Sequence, residues 1–194
     1  MAGILITPAS SQELPFAHYT VEKEVNPLPS SAVMMTHQDR AGYIWFVVYS
    51  SGLVQYDGRK QVLYDLENGL PSVDVRELIE DPSGRLWVAT EAGLAVTTKG
   101  MGEYGIGESI VFTDSLGSVP LISSSVIENR VCVDKAGVVW TGTRNLGIIR
   151  YSIDGGQNLL SDTISTSGSS GGNLDVRALT VRNNGTVWAS LSGG

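Results

Sequence analysis

The chain has 194 residues with 13 Lys+Arg against 20 Asp+Glu, a formal net charge of −7 that argues against a nucleic-acid partner, which needs a basic footprint to neutralise phosphates. Hydrophobic residues make up 42%, enough for a packed core and unlike a disordered chain. A single cysteine, Cys132, and two histidines leave no disulfide framework, no cysteine-based zinc site and few routes to any metal or catalytic centre.

In chain order, residues 1–12 (MAGILITPASSQ) join a short apolar stretch to the small residues Ala9, Ser10 and Ser11. This is the expected remnant of a secretory signal that lacks its basic leader. The longest apolar run, Tyr43 to Tyr49, is strand-sized and far short of the roughly 18 residues that span a bilayer.

The tryptophans then set the order. Trp45, Trp87, Trp140 and Trp188 follow one another at steps of 42, 53 and 48 residues, a spacing that calls for a repeat architecture. Upstream of each lies the same frame: Asp39-Arg-Ala-Gly42-Tyr-Ile-Trp45, Asp81-Pro-Ser-Gly84-Arg-Leu-Trp87, Asp134-Lys-Ala-Gly137-Val-Val-Trp140 and Arg182-Asn-Asn-Gly185-Thr-Val-Trp188. Val33 and Thr36, Val75 and Leu78, and Val176 and Leu179 precede these frames at matching distances. Leu28-Pro29-Ser30 recurs as Leu70-Pro71-Ser72. The third copy departs, with Glu128 where Val is expected, so its first strand is predicted to be shifted or bulged.

Each copy reads as a short strand, a tight Asp-x-x-Gly turn, and a strand carrying Trp. A second turn follows at Ser51-Gly52, Ala92-Gly93 or Gly147, then a third strand, then an outer one such as Gln61–Tyr64. The Asp side chain is suited to cap turn amides, and Gly supplies a positive φ. Trp and its aliphatic neighbours suit a buried, pleated surface between repeats. Four short strands per ~40–50 residues make an all-β chain, a β-propeller with about four blades in an incomplete ring. Residues 13–194 form this partial propeller. Two insertions, Lys99–Ile106 and Ser161–Asn173, are predicted to be flexible loops at the blade surface or rim.

Chemistry is sparse. Gly168-Ser-Ser170-Gly-Gly172 matches a nucleophile elbow in letters only, since no His follows it. His18 and His37 are too far apart to share a metal, and His37 is expected to be a partly buried strand residue. Tyr104-Gly105-Ile106-Gly107 lacks the strand–loop–helix setting of a phosphate loop. No catalytic residue, metal site or cofactor is therefore assigned. Ligand contacts are expected from turns that vary between copies, after the Trp strand: Tyr49, Glu91, Arg144 and Asn145, with Arg144 and Asn145 as donors to sugar hydroxyls.

The pattern Asp-x-x-Gly-x-[Ile/Leu/Val]-Trp-x-x-Thr-x-x-Gly-[Leu/Ile], with Tyr56-Asp57 trailing the first copy, resembles the two-component regulator propeller repeat. So does the opening Phe16-Ala-His18-Tyr19-Thr20 ahead of Leu28-Pro29-Ser30. Arg182 for Asp, and Val48 and Leu191 for Thr, depart from the pattern. The resemblance implies an exported, periplasmic sensor region of an inner-membrane hybrid histidine kinase, or of a diguanylate cyclase. It implies oligosaccharide signals and an output domain beyond this chain. The alternative function is a protein-interaction scaffold without a small-molecule ligand. The fourth copy reaches only Ser192-Gly193-Gly194, so the expected partners include missing blades of the same protein, and an open ring is expected to self-associate.

Overall fold

A computed structural model of the chain describes residues 28–104, 108–116, 119–121, 127–144, 146–153, 159–166, 175–182 and 184–192. The segment 1–12, the Phe16–Thr20 opening, Glu128's side chain, Asn145 and the 168–172 stretch lie outside the described residues. Those that are described form sixteen strands and two single 3-10 turns, with no α-helix among them.

The first blade is an antiparallel sheet of β1 (Val33–Gln38), β2 (Ile44–Val48), β3 (Gly52–Tyr56) and β4 (Gln61–Tyr64), paired in that order. The second repeats it with β5 (Val75–Glu80), β6 (Leu86–Thr90), β7 (Gly93–Thr97) and the two-residue β8 (Phe112–Thr113). A small hairpin, β9 (Ser115–Leu116) with β10 (Val119–Pro120), leads to the third blade. That blade is β11 (Ile127–Val133), β12 (Val139–Thr143), β13 (Ile148–Ile153) and β14 (Leu159–Ile164). The hairpin β15 (Asp175–Val181) and β16 (Val187–Ser192) begins the fourth. First strands lie side by side, β5 touching β1 and β11, and β11 touching β15, so they form the inner wall of a propeller.

The repeated residues explain this geometry. Gly84 takes φ +83° at the turn, a left-handed backbone that a Cβ would strain, and its N–H closes the turn on the Asp81 carbonyl at 2.9 Å. Asp81 Oδ1 accepts from the N–H groups of Ser83 (2.8 Å) and Arg85 (3.0 Å). Its Oδ2 accepts from Trp87 Nε1 at 2.8 Å. Asp39 holds Trp45 in the same way at 2.7 Å, and Asp134 holds Trp140 at 3.4 Å. The Asp therefore does more than cap the turn, because it also satisfies the one polar atom of an otherwise apolar side chain.

The core lies between sheets. Trp45, Val47 and Leu53 of the first blade pack on Leu78, Val88 and Phe112 of the second. Trp45 meets Phe112 edge-on at 6.3 Å. Trp87 and Leu94 pack on Val131, Ile149 and Tyr151 of the third, and Trp140 meets Val176 and Leu179 of the fourth. Burying an indole of this kind contributes on the order of 5 kcal/mol before entropy is set against it. Carboxylates from β5 stitch both of its neighbours. Glu80 accepts from Arg40 N–H at 3.2 Å and faces His37, half-buried on β1, at 3.8 Å; Glu77 accepts from Val131 N–H at 2.9 Å.

Three expectations need correction. The fourth tryptophan does not pack between blades: Trp188 is 55% exposed, with the Arg182 guanidinium over its ring at 5.0 Å. Ser161–Asn173 is not wholly loop, because Ser161–Ile164 complete β14, paired with Ile148–Tyr151. Lys99–Ile106 is not a loose rim loop over its described part. It makes a 3-10 turn, Met101–Glu103, with Met101 only 2% exposed in the core and its N–H on Gly84 O at 2.7 Å. The irregular third copy is seen as an enlarged bulge: Ile127 and Val131 bracket four steps where Val75 and Leu78 bracket three.

Candidate ligand-binding face

In an up-and-down sheet, the turn between the first two strands and the turn between the second and third lie at opposite ends. The Asp turns hold one end. Tyr49, Glu91 and Arg144 hold the other, each the first residue after its Trp strand. All three are exposed. They occupy equivalent places in three successive blades, with chemically different side chains. They share one end of the sheets. Asn145 lies outside the described residues.

The local sequence makes these turns firm. Thr90 and Thr143, three residues after Trp, donate from Oγ1 to the carbonyls of Gly93 (2.8 Å) and Gly147 (2.7 Å), closing the turns. The lead-in segment to the next blade is bonded to the same face. Ser50 Oγ donates to Asp74 Oδ1 at 2.9 Å, Gly52 N–H to Val73 O at 3.0 Å, and Glu91 N–H to Asp74 O at 3.0 Å. Ser30 and Ser72, the repeated serines, accept from Ala32 and Asp74 N–H. The Leu-Pro-Ser signature is therefore a turn that delivers each inner strand to this face.

The structure adds residues that sequence reasoning missed. Beside the enlarged bulge of β11, the inner strands β1, β5 and β15 each carry a β-bulge near this end, between Val33 and Met35, Val75 and Glu77, and Val176 and Ala178. A bulge re-aims the extra residue and recurs next to binding sites. The extra residues are Met34, Arg76 and Arg177, all exposed. Arg76 reaches Glu91 at 3.5 Å, and Arg177 reaches Asp175 at 3.1 Å. The signal was present in the Val-Arg-x-Leu shared by 75–78 and 176–179. The face thus offers an inner ring of bulge side chains and an outer ring of turn side chains. Both are rich in planar hydrogen-bonding groups suited to polar ligands.

Among the described residues there is no group of three or more His, Cys, Asp or Glu placed to hold a metal, and no helix long and apolar enough to cross a membrane.

A succession of four-stranded antiparallel sheets with adjoining first strands defines a β-propeller. Within that class, residues 69–92 match the family model described as two component regulator propeller. No curated protein sequence matches the chain significantly. Solved structures share its fold. The chain described as the extracellular domain of the hybrid two component system BT3049 of B. thetaiotaomicron is 18% identical, with a TM-score of 0.59 over 90% of this chain and 22% of that one. The corresponding domain of BT4673 is 19% identical, with a TM-score of 0.55 over 82% and 21%. PorZ, a surface component of the type-IX secretion system of Porphyromonas gingivalis, is 18% identical, with a TM-score of 0.60 over 92% and 27%. The chain spans about a fifth to a quarter of the length of the chains it matches.

Proposed function

We propose that the chain is a ligand-sensing, non-catalytic propeller segment of a periplasmic two-component sensor, anchored in the inner membrane through parts beyond this sequence. Its ligands are oligosaccharides bound on the face of Tyr49, Glu91 and Arg144, with Asn145 and the bulge residue Arg76 beside them. Binding is passed by conformational change to an output domain outside this chain. The observation that carries the reading is the placement of unlike polar side chains at equivalent, backbone-anchored turns of successive blades. A scaffold is held constant there while the recognising groups vary. The family match and the extracellular two-component domains among the solved likenesses support the setting.

Calorimetric titration of the complete sensor ectodomain with a glycan panel tests the proposal. Saturable binding that weakens in Tyr49→Ala and Arg144→Ala supports it, and heat from no panel member rejects the sugar reading. A protein-interaction scaffold is the second reading, favoured by the exposed apolar face around Trp188. On either reading that face takes a further blade of the same protein or, failing one, a second open ring.

A further inference from the structure

At the end of the sheets that carries the Asp turns, the seam between the first and second blades opens into a cleft of about 490 Å³, within the size range of small-molecule sites. The matching seam between the second and third blades holds a smaller cleft of about 340 Å³, with no aromatic residue among its described walls. Three tyrosines make the difference, and they come from separate parts of the chain. Tyr43 stands where the next copies of the repeat have Arg85 and Val138. Tyr64 ends the outer strand β4, and Tyr104 follows the 3-10 turn of the insertion in the second blade. Met101 and Ile110, both buried, complete an apolar wall beside them.

The charges at the cleft cancel in pairs. Glu108 is bonded to the Lys99 ammonium, which also lies 5.2 Å over the Tyr104 ring. Asp57 Oδ1 accepts from the N–H groups of Lys60 and Arg59 at 2.6 Å and 2.7 Å. Those amides, with the Lys60 ammonium pulling the same way, hold its carboxyl below the usual range, so Asp57 stays an anion and offsets Lys60. An ionic ligand would enter with no opposite charge left to meet it, and an unmatched charge is costly to take out of water. The cleft therefore favours a neutral molecule.

One donor inside it is still open. Tyr64 is buried, and its hydroxyl donates to Gln55 Oε1 at 3.2 Å. Burial, with Tyr104 and Tyr43 adding to it, pushes the phenol up to about 12, so it remains a donor at neutral pH. This bond fixes the Gln55 amide with its oxygen engaged. Gln55 is only 8% exposed, yet its amide nitrogen has no hydrogen-bond partner among the described residues and is open to the cleft. A donor so deeply set and so unpaired favours an acceptor brought by a ligand.

We infer that this inter-blade cleft binds an uncharged aromatic compound bearing a carbonyl group, its ring against the wall of Tyr43 and Tyr104 and its carbonyl oxygen accepting from Gln55 Nε2. Tyrosines supply rigid apolar area at little entropic cost, and the contact of ring on ring adds to it. A sugar ring fits less well, because its many hydroxyls call for open acceptors and the carboxylates here are engaged. The site lies at the far end from the face assigned to sensing and does not depend on that reading.

The test is titration of the full chain with acetophenone, benzoate and benzamidinium, three probes of one shape that are neutral, anionic and cationic, and with methyl β-glucoside. Binding is followed by the side-chain amide signals in proton–nitrogen correlation spectra. Acetophenone should saturate and shift the Gln55 amide signals, and the two ions should bind at least about tenfold more weakly. Gln55→Glu keeps an oxygen for Tyr64 and removes the open donor, so it should weaken acetophenone about three- to tenfold. Tyr104→Ala should weaken it similarly, and Arg59→Met, outside the cleft, should leave it unchanged. The charge series needs no variant, so it stands even where a substitution unfolds the chain. No saturation by acetophenone, equal affinity for either ion, tighter binding of the glucoside, or full affinity in folded Gln55→Glu would overturn the inference.

Discussion

Trp87 Nε1 donates to Asp81 Oδ2 at 2.8 Å across six residues of chain, while the other Asp81 oxygen holds the turn between them. One carboxyl group thus joins a local event, the hairpin turn, to a non-local one, the burial of an indole under the next blade. Asp81→Ala should cost about 2–3 kcal/mol, because it strands a buried indole N–H and frees the turn amides together. Asp134→Ala should cost less, since its bond to the half-buried Trp140 is 3.4 Å. Arg182→Ala should be near neutral, because Trp188 is exposed and water can serve its N–H. Urea unfolding midpoints of the three variants check the order.

Much of this was legible in the sequence, and what was not follows a rule. Asp-x-x-Gly-x-x-Trp declares itself because turn chemistry is local and recurs in every copy. The Asp–Trp hydrogen bond does not, since each residue has a sufficient role on its own: one caps amides and the other packs. Arg76 and Arg177 were missed because a bulge is a property of pairing register, which lives in two strands at once. Ser161–Ile164 read as loop because an outermost strand with both faces wet needs no apolar alternation; its pairing with β13 makes it a strand. In Lys99–Ile106, glycines masked the one residue that decides the outcome, the buried Met101. Of the candidate face, the outer turns vary visibly between copies, whereas the inner ring depends on a register that no single strand displays.

Gly142 on β12 is a second joint between blades. A Cβ placed there would stand 2.5 Å from Val176 Cγ1 and 3.1 Å from Leu179 Cδ1. Gly142→Ala should destabilise the third–fourth blade contact by about 1–3 kcal/mol through overpacking. Val176→Ala alone should also destabilise, by opening a cavity. The double variant should lose less than the two single losses together, because each change relieves the other. A double-mutant cycle in urea reads this coupling, and strict additivity would count against direct contact.

Cys132 on β11 packs against Ile148 of its own blade and Val176 and Leu179 of the fourth. Burial raises its thiol to about 12, with Glu77 and Asp134 adding in the same direction. The group is therefore a neutral thiol at physiological pH and a poor nucleophile. Ellman's reagent should label the native chain at least about tenfold more slowly than the urea-unfolded chain. The linkage follows from the same shift. Between the ordinary thiol value of 9.0 and about 12, the unfolded chain releases a proton that the folded chain keeps. Stability from this group is thus intact below pH 9 and falls as the pH rises through that window. Cys132→Ser should flatten the fall.

Trp188 stands where Trp45 and Trp87 stand, yet it is 55% exposed against 0% and 1%. It shares a shallow cleft with Ala178, Leu179 and Ala189. In the earlier blades, the equivalent surface is covered by the aliphatic residues of the following sheet, so an open apolar face of this kind carries a drive to be covered. Two outcomes follow. N-Bromosuccinimide should consume one indole well before Trp45 and Trp87, and Trp188→Phe should abolish that early phase. In sedimentation velocity the wild-type chain should associate with rising concentration, and Trp188→Glu, which places a charge on the face, should shift it towards monomer. A wild-type chain that stays monomeric across the range would reject self-association through this face, and early modification of Trp188 would still place its indole in solvent.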